Sequence, residues 1–199
     1  MIQRNKMDIF TKFSSYKYGL IASLKDLDSQ MDKIQAFADA IENTTKSGGN
    51  IFVAGNGGSA AIADHLVCDV CKGVGHESDL KPRVISLVSN VSMLTAISND
   101  IGYNQSIAYY LRKLSYSAED LLIVISSSGN SANILRALEC AEEIGIKSVA
   151  LTGFNGGVAK MMADISIHVD AHNYGIVEDM HQAIMHLVSQ YLAEKHACH

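Results

Sequence analysis

The chain is poor in everything that would set it apart from an ordinary soluble globular protein. Pro82 is its single proline, which argues against Pro-rich disordered linkers. No stretch approaches the roughly 18–20 consecutive apolar residues of a membrane helix, so no membrane is expected. The opening MIQRNKMDIFTKF mixes charges and has no apolar run, so a secretory leader is not expected either. Four cysteines, Cys68, Cys71, Cys140 and Cys198, suit a reduced cytoplasmic protein better than a disulfide scaffold. Basic excess is also missing: 16 Lys and Arg against 21 Asp and Glu leave a formal net charge of −5. A nucleic-acid backbone calls for a basic patch, so no nucleic-acid partner is expected. An anionic ligand must then be held by local features and not by the overall field.

What is present reads as one α/β domain over residues 1–199, a length below that at which single cores stop growing. Hydrophobic residues make up 48% of the chain, enough for a sizeable core. About 1–46 reads as a helical N-terminal segment. Within it Leu20, Leu24, Leu27, Met31, Ile34, Phe37, Ala38 and Ile41 recur near helical spacing from Asp8 to Thr45, and SGGN ends the signal. From about 50 to 195 the pattern alternates. Short apolar runs predict strands at Ile51–Ala54, Val84–Val88, Leu121–Ile125, Ser148–Leu151 and Ile165–Val169. Helices are predicted at Ala60–Lys72, Val91–Ser98, Gln105–Ser115, Ser131–Ile144, Val158–Ala163 and Ile176–Glu194. Continuous apolar strands alternating with helices imply a five-stranded parallel sheet covered on both faces. Ligands of such sheets bind beyond the carboxyl ends of the strands.

Two strand-to-helix loops carry the signal there. The first is GNGGSAA, Gly55 to Ala61. Its glycines allow backbone to approach a ligand, and the helix start behind it offers N–H groups to an anion. The spacing matches neither the G-x-G-x-x-G fingerprint nor the P-loop, which disfavours a nucleotide. A tight turn with Ser59 as N-cap explains this loop equally well when it is taken alone. The second loop is Ser126-Ser127-Ser128-Gly129-Asn130-Ser131. Four hydroxyls and an amide at one helix start can surround a phosphate with neutral donors, backed by the helix dipole. One N-cap explains one serine, not four.

In this order, GNGGSAA then SSSGNSAN, the loops resemble the sugar isomerase (SIS) domain family, in which the serine-rich loop grips the phosphate of a phosphosugar. His65 six residues after Ser59, SNDIGYN after the second strand, and a late helix reading VEDMHQAIMH narrow the resemblance. They make the chain similar to the phosphoheptose isomerases, which interconvert sedoheptulose 7-phosphate and D-glycero-D-manno-heptose 7-phosphate for nucleotide-activated heptose in lipopolysaccharide or capsule. The likeness runs over nearly the whole chain. It implies that Ser126, Ser127, Ser128 and Ser131 hold phosphate. Asn56, Gly57, Gly58 and Ser59 would meet the sugar, with Asp100 and Glu178 near the substrate. It also implies a divalent metal, commonly zinc, one per subunit, on His65, Asp69, Glu178 and His186, and a homotetramer with interfacial sites. Two positions depart from the family: it usually has Glu where this chain has Asp69, and Gln where it has Glu178. Both replacements keep an oxygen ligand, but Asp is one methylene shorter than the family's presumed base. A displacement near 1 Å can cost about 10²-fold in rate.

The residues themselves agree in part. His65 and Asp69 are four apart, on one helix face. Glu178 and His186 are eight apart, a rise of about 12 Å, so both reach one ion only by leaning inward or through a neighbouring subunit. His181 is a rival ligand. Cys68 and Cys71 form a C-x-x-C inside a helix and not at its start, where thiolates are stabilised, so redox or zinc chemistry is not assigned to them. His76, His168, His172, His196 and His199 read as structural or tail residues. Met161, Met162, Tyr109 and Tyr110 read as packing. An aldose–ketose isomerisation needs a base at carbon, an acid at oxygen and a stabilised oxyanion. The assignment is Asp69 as base and His186 as acid. The rivals are a non-catalytic phosphosugar-binding protein acting through a protein partner, and an isomerase of another phosphosugar. A DNA-binding regulator would need a further segment that the acidic chain does not offer.

Overall fold

The computed structural model describes residues 8–115 and 117–197. The expectations placed on Met1–Met7, Cys198 and His199 fall outside them. Asp8 opens α1 (Ile9–Leu27) by accepting the Thr11 N–H at 2.9 Å, a standard N-cap. The predicted helical segment is then interrupted. A single 3₁₀ turn, Asp28–Gln30, separates α1 from α2 (Met31–Ser47). Gln30 is buried there, and its amide pairs with both backbone groups of His168, at 2.6 Å to the carbonyl and 2.9 Å from the N–H. It thereby completes the open edge of the last strand, a place where unpaired backbone is a liability. Left-handed Gly48 closes α2.

Next come β1 (Ile51–Gly55), α3 (Gly58–Cys68), a π-helical stretch Asp69–Val74, the single turn α4 (Gly75–Glu77), and β2 (Val84–Ser86). The sequence predicts one helix to Lys72; instead the α ladder widens at Asp69, keeping Val70 and Val74 buried. Beyond lie α5 (Val91–Asp100), α6 (Ser106–Leu114), β3 (Leu121–Ser126), α7 (Ala132–Ile144), β4 (Lys147–Thr152), α8 (Ala159–Met162), β5 (Ile165–His168) and α9 (Tyr174–Lys195).

All five strands are parallel, in the order β2-β1-β3-β4-β5. β1 and β3 are buried along their whole length, as strands covered on both faces must be. Alternate residues feed two cores. Val53, Ile123 and Leu151 pack with Phe37 and Ile41 of α2, Leu66 of α3, and Met180 and Ile184 of α9. Phe52, Leu122 and Ala150 pack with Leu111 of α6 and Ile134 and Leu138 of α7. Thus α3, following β1, covers one face, and α7, following the adjacent β3, covers the other. The chain order reverses between these two strands, which opens a crevice at their carboxyl ends. The register Gly55↔Ile125 and Ser126↔Thr152 brings the loops after β1, β3 and β4 side by side. Among the described residues no helix is long and apolar enough to cross a membrane.

Candidate active site

A cavity of about 150 Å³ occupies the crevice, lined by Asn56, Ser59, Ile125, Ser126, Ser127, Ser128, Ser131, Tyr174 and Glu178. A larger one, about 500 Å³, lies at the opposite ends of the strands beside Lys147 and Asp164. Chemistry, not size, selects the smaller. Two of its hydroxyls are uncommitted. Ser131 stands at the N-cap position of α7, yet its side chain makes no capping hydrogen bond. Ser127 Oγ is buried without a hydrogen-bond partner among the described residues. Buried polar atoms are normally satisfied. An orphaned hydroxyl and an uncapped helix start facing one cavity therefore describe a receptor for an anion. Ser126 and Ser128 are tied into the loop instead, accepting the N–H of Gly129 and Asn130 at 3.2 and 3.3 Å.

The loops are locked from two sides. Asn56 and Asn133 exchange amide hydrogen bonds of 2.8 and 2.9 Å, and Tyr103 donates its hydroxyl to Asn56 Oδ1 at 2.7 Å. This joins the glycine loop to the serine loop. Behind them the 153–157 loop seats against the serine loop: Gly153 N–H reaches Ser127 O and Ala159 N–H reaches Gly129 O, both at 2.9 Å. Gly129, at φ +64°, has no room for a side chain, since a Cβ would fall 1.9 Å from the Gly156 carbonyl oxygen. The Glu178 carboxylate packs directly over Gly58, where a Cβ would stand 2.4 Å from it and push it aside.

Further along α3 and α9, a second group converges. His65 Nε2, Asp69 and His186 Nε2 each offer an atom within 4.8 Å of the others. His65 Nε2 lies 3.2 Å from Asp69 Oδ1, His186 Nε2 lies 3.5 Å from Asp69 Oδ2, and the two ring nitrogens are 3.4 Å apart. Asp69 Oδ2 is buried and makes no hydrogen bond among the described residues. A carboxylate oxygen left in that state between two imidazoles suits a cation. Gln182 also reaches the cluster, with Nε2 at 2.8 Å from His186 Nε2.

Of the predicted residues, Asn56, Ser59, the four loop serines and Glu178 line the cavity, and His65, Asp69 and His186 form the cluster. Glu178 is not among that close group. Asp100 does not line the cavity; it ends α5, exposed, with Asn99 donating to its carboxylate. Tyr103, three residues later, makes the contact with Asn56. His181 is not at the cluster at all. It is fully buried, its Nε2 bonded to the Thr152 carbonyl at 3.0 Å, and burial holds its pKa down at about 4. Tyr16 of α1 also reaches this region, from 163 residues away. It donates to Asp179 beside Glu178, and that hydrogen bond, helped by burial, raises its pKa to about 12. Tyr103, Asn133 and Gln182 stand within the very motifs that marked the site, but a motif does not say which of its polar residues face each other.

The SIS domain family profile matches residues 15–153. A phosphoheptose isomerase of Helicobacter pylori is 33% identical over 189 residues, covering 94% of this chain and 95% of its own. One of Akkermansia muciniphila is 36% identical over 174 residues, 86% of this chain and 90% of its own. The solved structure of a phosphoheptose isomerase from Francisella tularensis superposes with a TM-score of 0.87 at 30% identity, covering 94% of this chain and all of that one.

Proposed function

The chain belongs to the SIS-domain family and, within it, to the phosphoheptose isomerases, and from that premise we propose that its crevice interconverts sedoheptulose 7-phosphate and D-glycero-D-manno-heptose 7-phosphate. The observation that carries this reading is the pairing, in one molecule, of a receptor of free hydroxyls with a His/Asp/His cluster around an unsatisfied carboxylate oxygen. A phosphosugar needs both, one at its phosphate and one at its carbonyl end. A binding protein that only recognised phosphate would have no use for the second.

In this reading Ser127, Ser131 and the first N–H groups of α7 hold the phosphate. That remote binding energy fixes the reacting carbons in place. Asp69 takes the proton from one carbon and returns it to its neighbour, while His186 protonates the carbonyl oxygen and regains a proton from the adjacent hydroxyl as that becomes the new carbonyl. Asn56, fixed by Asn133 and Tyr103, and Glu178, pressed against Gly58, present amide and carboxylate groups to sugar hydroxyls. The cluster residues His65, Asp69 and His186 would hold one divalent ion per subunit, and zinc suits their nitrogen and oxygen donors. Such an ion supplies Lewis-acid polarisation of the substrate oxygens. Nε2 is the His186 nitrogen that faces Asp69 and His65, so it is the atom on which either duty would fall.

We also place the protein as a cytoplasmic homotetramer serving lipopolysaccharide or capsule heptose. Support for self-association is the apolar outer face of α1, where Phe10, Phe13 and Leu24 are exposed and a monomer would leave them wet. The deciding experiment is turnover of sedoheptulose 7-phosphate by the purified chain, with and without chelator and added zinc. Chelator-sensitive formation of the aldoheptose phosphate is the expected result. A folded, zinc-supplied protein that leaves the ketose untouched would overturn the reading, and conversion of a different phosphosugar would redirect it.

A further inference from the structure

We propose that a second cavity, behind the serine loop at the open edge of β5, binds a small phosphorylated sugar or polyol. His168 is its floor, Lys33 and Lys160 meet the phosphate, and Asp26 and Asp170 meet hydroxyls. The cavity shares no lining residue with the crevice, and the proposal stands whether or not the crevice is an isomerase site. Its volume is about 420 Å³, within the range of about 300–1,000 Å³ usual for small-molecule sites.

The floor separates this cavity from an ordinary charged surface. His168 ends β5 and is 9% exposed. Its backbone is tied by the Gln30 amide at 2.6 and 2.9 Å, and its Nδ1 lies 3.1 Å from the Thr152 hydroxyl. The ring is therefore fixed, yet its Nε2 has no hydrogen-bond partner among the described residues. Buried polar groups are normally paired, and a held ring with one free nitrogen at a cavity is preorganised for a ligand. Burial, with Lys160 nearby, keeps its pKa below the ordinary imidazole value, so at neutral pH it meets a ligand uncharged.

The walls supply charge of both signs that nothing else uses. The side chains of Lys33, Lys160 and Asp170 make no hydrogen bond or ion pair among the described residues. The Asp26 carboxylate accepts only the Gln30 amide, at 3.4 Å. All four charges act on the His168 ring. Ammonium groups only donate and suit phosphate, whereas carboxylates only accept and suit hydroxyls. A bare anion would face the two carboxylates, and a neutral sugar would leave the ammonium groups unused. A molecule with both parts satisfies all four.

Phe154 forms the remaining wall. It is the one non-glycine residue with positive φ among the described residues, at +52°. A bulky side chain adopts that conformation at a cost in free energy, and such strain gathers at ligand sites. Its ring lies 4.6 Å from that of Tyr174 and 5.7 Å from that of His172. Tyr174 lines the crevice and His172 this cavity, so the strained residue is the partition between them. Its ring offers apolar surface to the carbon side of a sugar.

The test uses the full chain carrying Ser127→Ala and Ser131→Ala, which takes the crevice out of the count. It is titrated with mannose 6-phosphate by calorimetry while the ring signals of isotope-labelled histidine are followed, with His168→Asn assigning that of His168. Saturable binding with a shift at His168 is expected. Lys160→Ala and Asp170→Asn, both at exposed positions, should keep the melting temperature. Each should weaken binding about tenfold, the worth of one charge-assisted hydrogen bond. Mannose or inorganic phosphate alone should not saturate at the concentration where mannose 6-phosphate does. No saturable binding, binding that leaves the His168 signal in place, or binding unchanged in both Lys160→Ala and Asp170→Asn would overturn the site. Tighter binding of inorganic phosphate, or of a zwitterion such as glycine, would overturn the choice of ligand.

Discussion

The two halves of the crevice are built by opposite means. The half proposed to hold phosphate is made of loops, with neutral hydroxyls and backbone N–H groups, and its floor is buried: Ser59, Ser126 and Ser127 are each 5% exposed or less. The half proposed for catalysis is made of helix side chains, carries ionisable groups, and lies open, with the His65 and His186 side chains 49% and 41% exposed. A phosphate needs no chemistry done to it, only preorganised dipoles, and loops tied together by the Asn56–Asn133 amide pair are suited to supply those. Proton transfer and cation binding need side chains of matched chemistry that a substrate can reach. The arrangement predicts that damage to the two halves separates cleanly, binding from turnover and local from global.

The largest effect should follow from Asp69→Asn. It keeps the shape of the side chain but removes the base and the charge facing both histidines. Turnover of sedoheptulose 7-phosphate should fall by about 10²–10⁴-fold, while protection of the protein by the phosphosugar in a thermal melt persists. Normal kcat in this variant would break the division between the halves, because the base would then have to come from the cavity side, where Glu178 is the remaining carboxylate.

The same contrast governs what could be read in advance. The phosphate half is written in two contiguous motifs, so its residues fall together wherever the flanking strands go. Strands at 51–55 and 121–126, buried from end to end, follow directly from uninterrupted apolar runs. The helix half depends on how α3 and α9, with His65 and His186 121 residues apart, are rotated against each other. Periodicity gives each helix a face but not the partner's phase. That is why spacing alone admits His181 as a ligand although it points into the core, and gives no sign that Gln182 meets His186. The break between α1 and α2 was hidden for a similar reason, since Gln30 pairs with backbone 138 residues away. The π-helical widening at Asp69 has no signal in the pattern of apolar residues.

The phosphate half should also carry an acid-sensitive support. His181 bonds the Thr152 carbonyl, at the strand position that pairs with Ser126, and its pKa is depressed from 6.5 to about 4 by burial. The unfolded chain therefore takes up this proton first as pH falls, so stability is full above about pH 6.5 and declines down to about pH 4. A depression of that size corresponds to something on the order of 3 kcal/mol. Urea unfolding of chelated protein at pH 7.5 and 4.5 should show a drop that shrinks by about this amount in His181→Asn. An undiminished acid drop in that variant would show that the buried imidazole is not its source.

A subtler separation concerns Ser131. An N-cap side chain normally stabilises its helix, so Asp8→Ala at α1 should lower the melting temperature, because Asp8 does cap. Ser131 does not cap α7, so Ser131→Ala should leave the melting temperature in place. It should instead raise KM for the phosphosugar about tenfold, the worth of one charge-assisted hydrogen bond. A lowered melting temperature with unchanged KM would assign the hydroxyl to the fold and not to the ligand.

The smallest effect is expected where the N-terminal helix meets the boundary between the halves. Tyr16 binds Asp179, the neighbour of Glu178, and its ring edge closes over Gly175, where a Cβ would stand 3.0 Å from the hydroxyl. This contact ties α1 to the turn of α9 that carries Glu178. Tyr16→Phe removes one partly exposed hydrogen bond, about 1 kcal/mol, which for a chain of this size moves the melting temperature by about 2–4 °C. If α1 only adds packing, kcat and KM will be untouched. If it steadies the Glu178 turn, KM should rise by about twofold with kcat held, because His186, proposed for proton transfer, lies two turns further along α9.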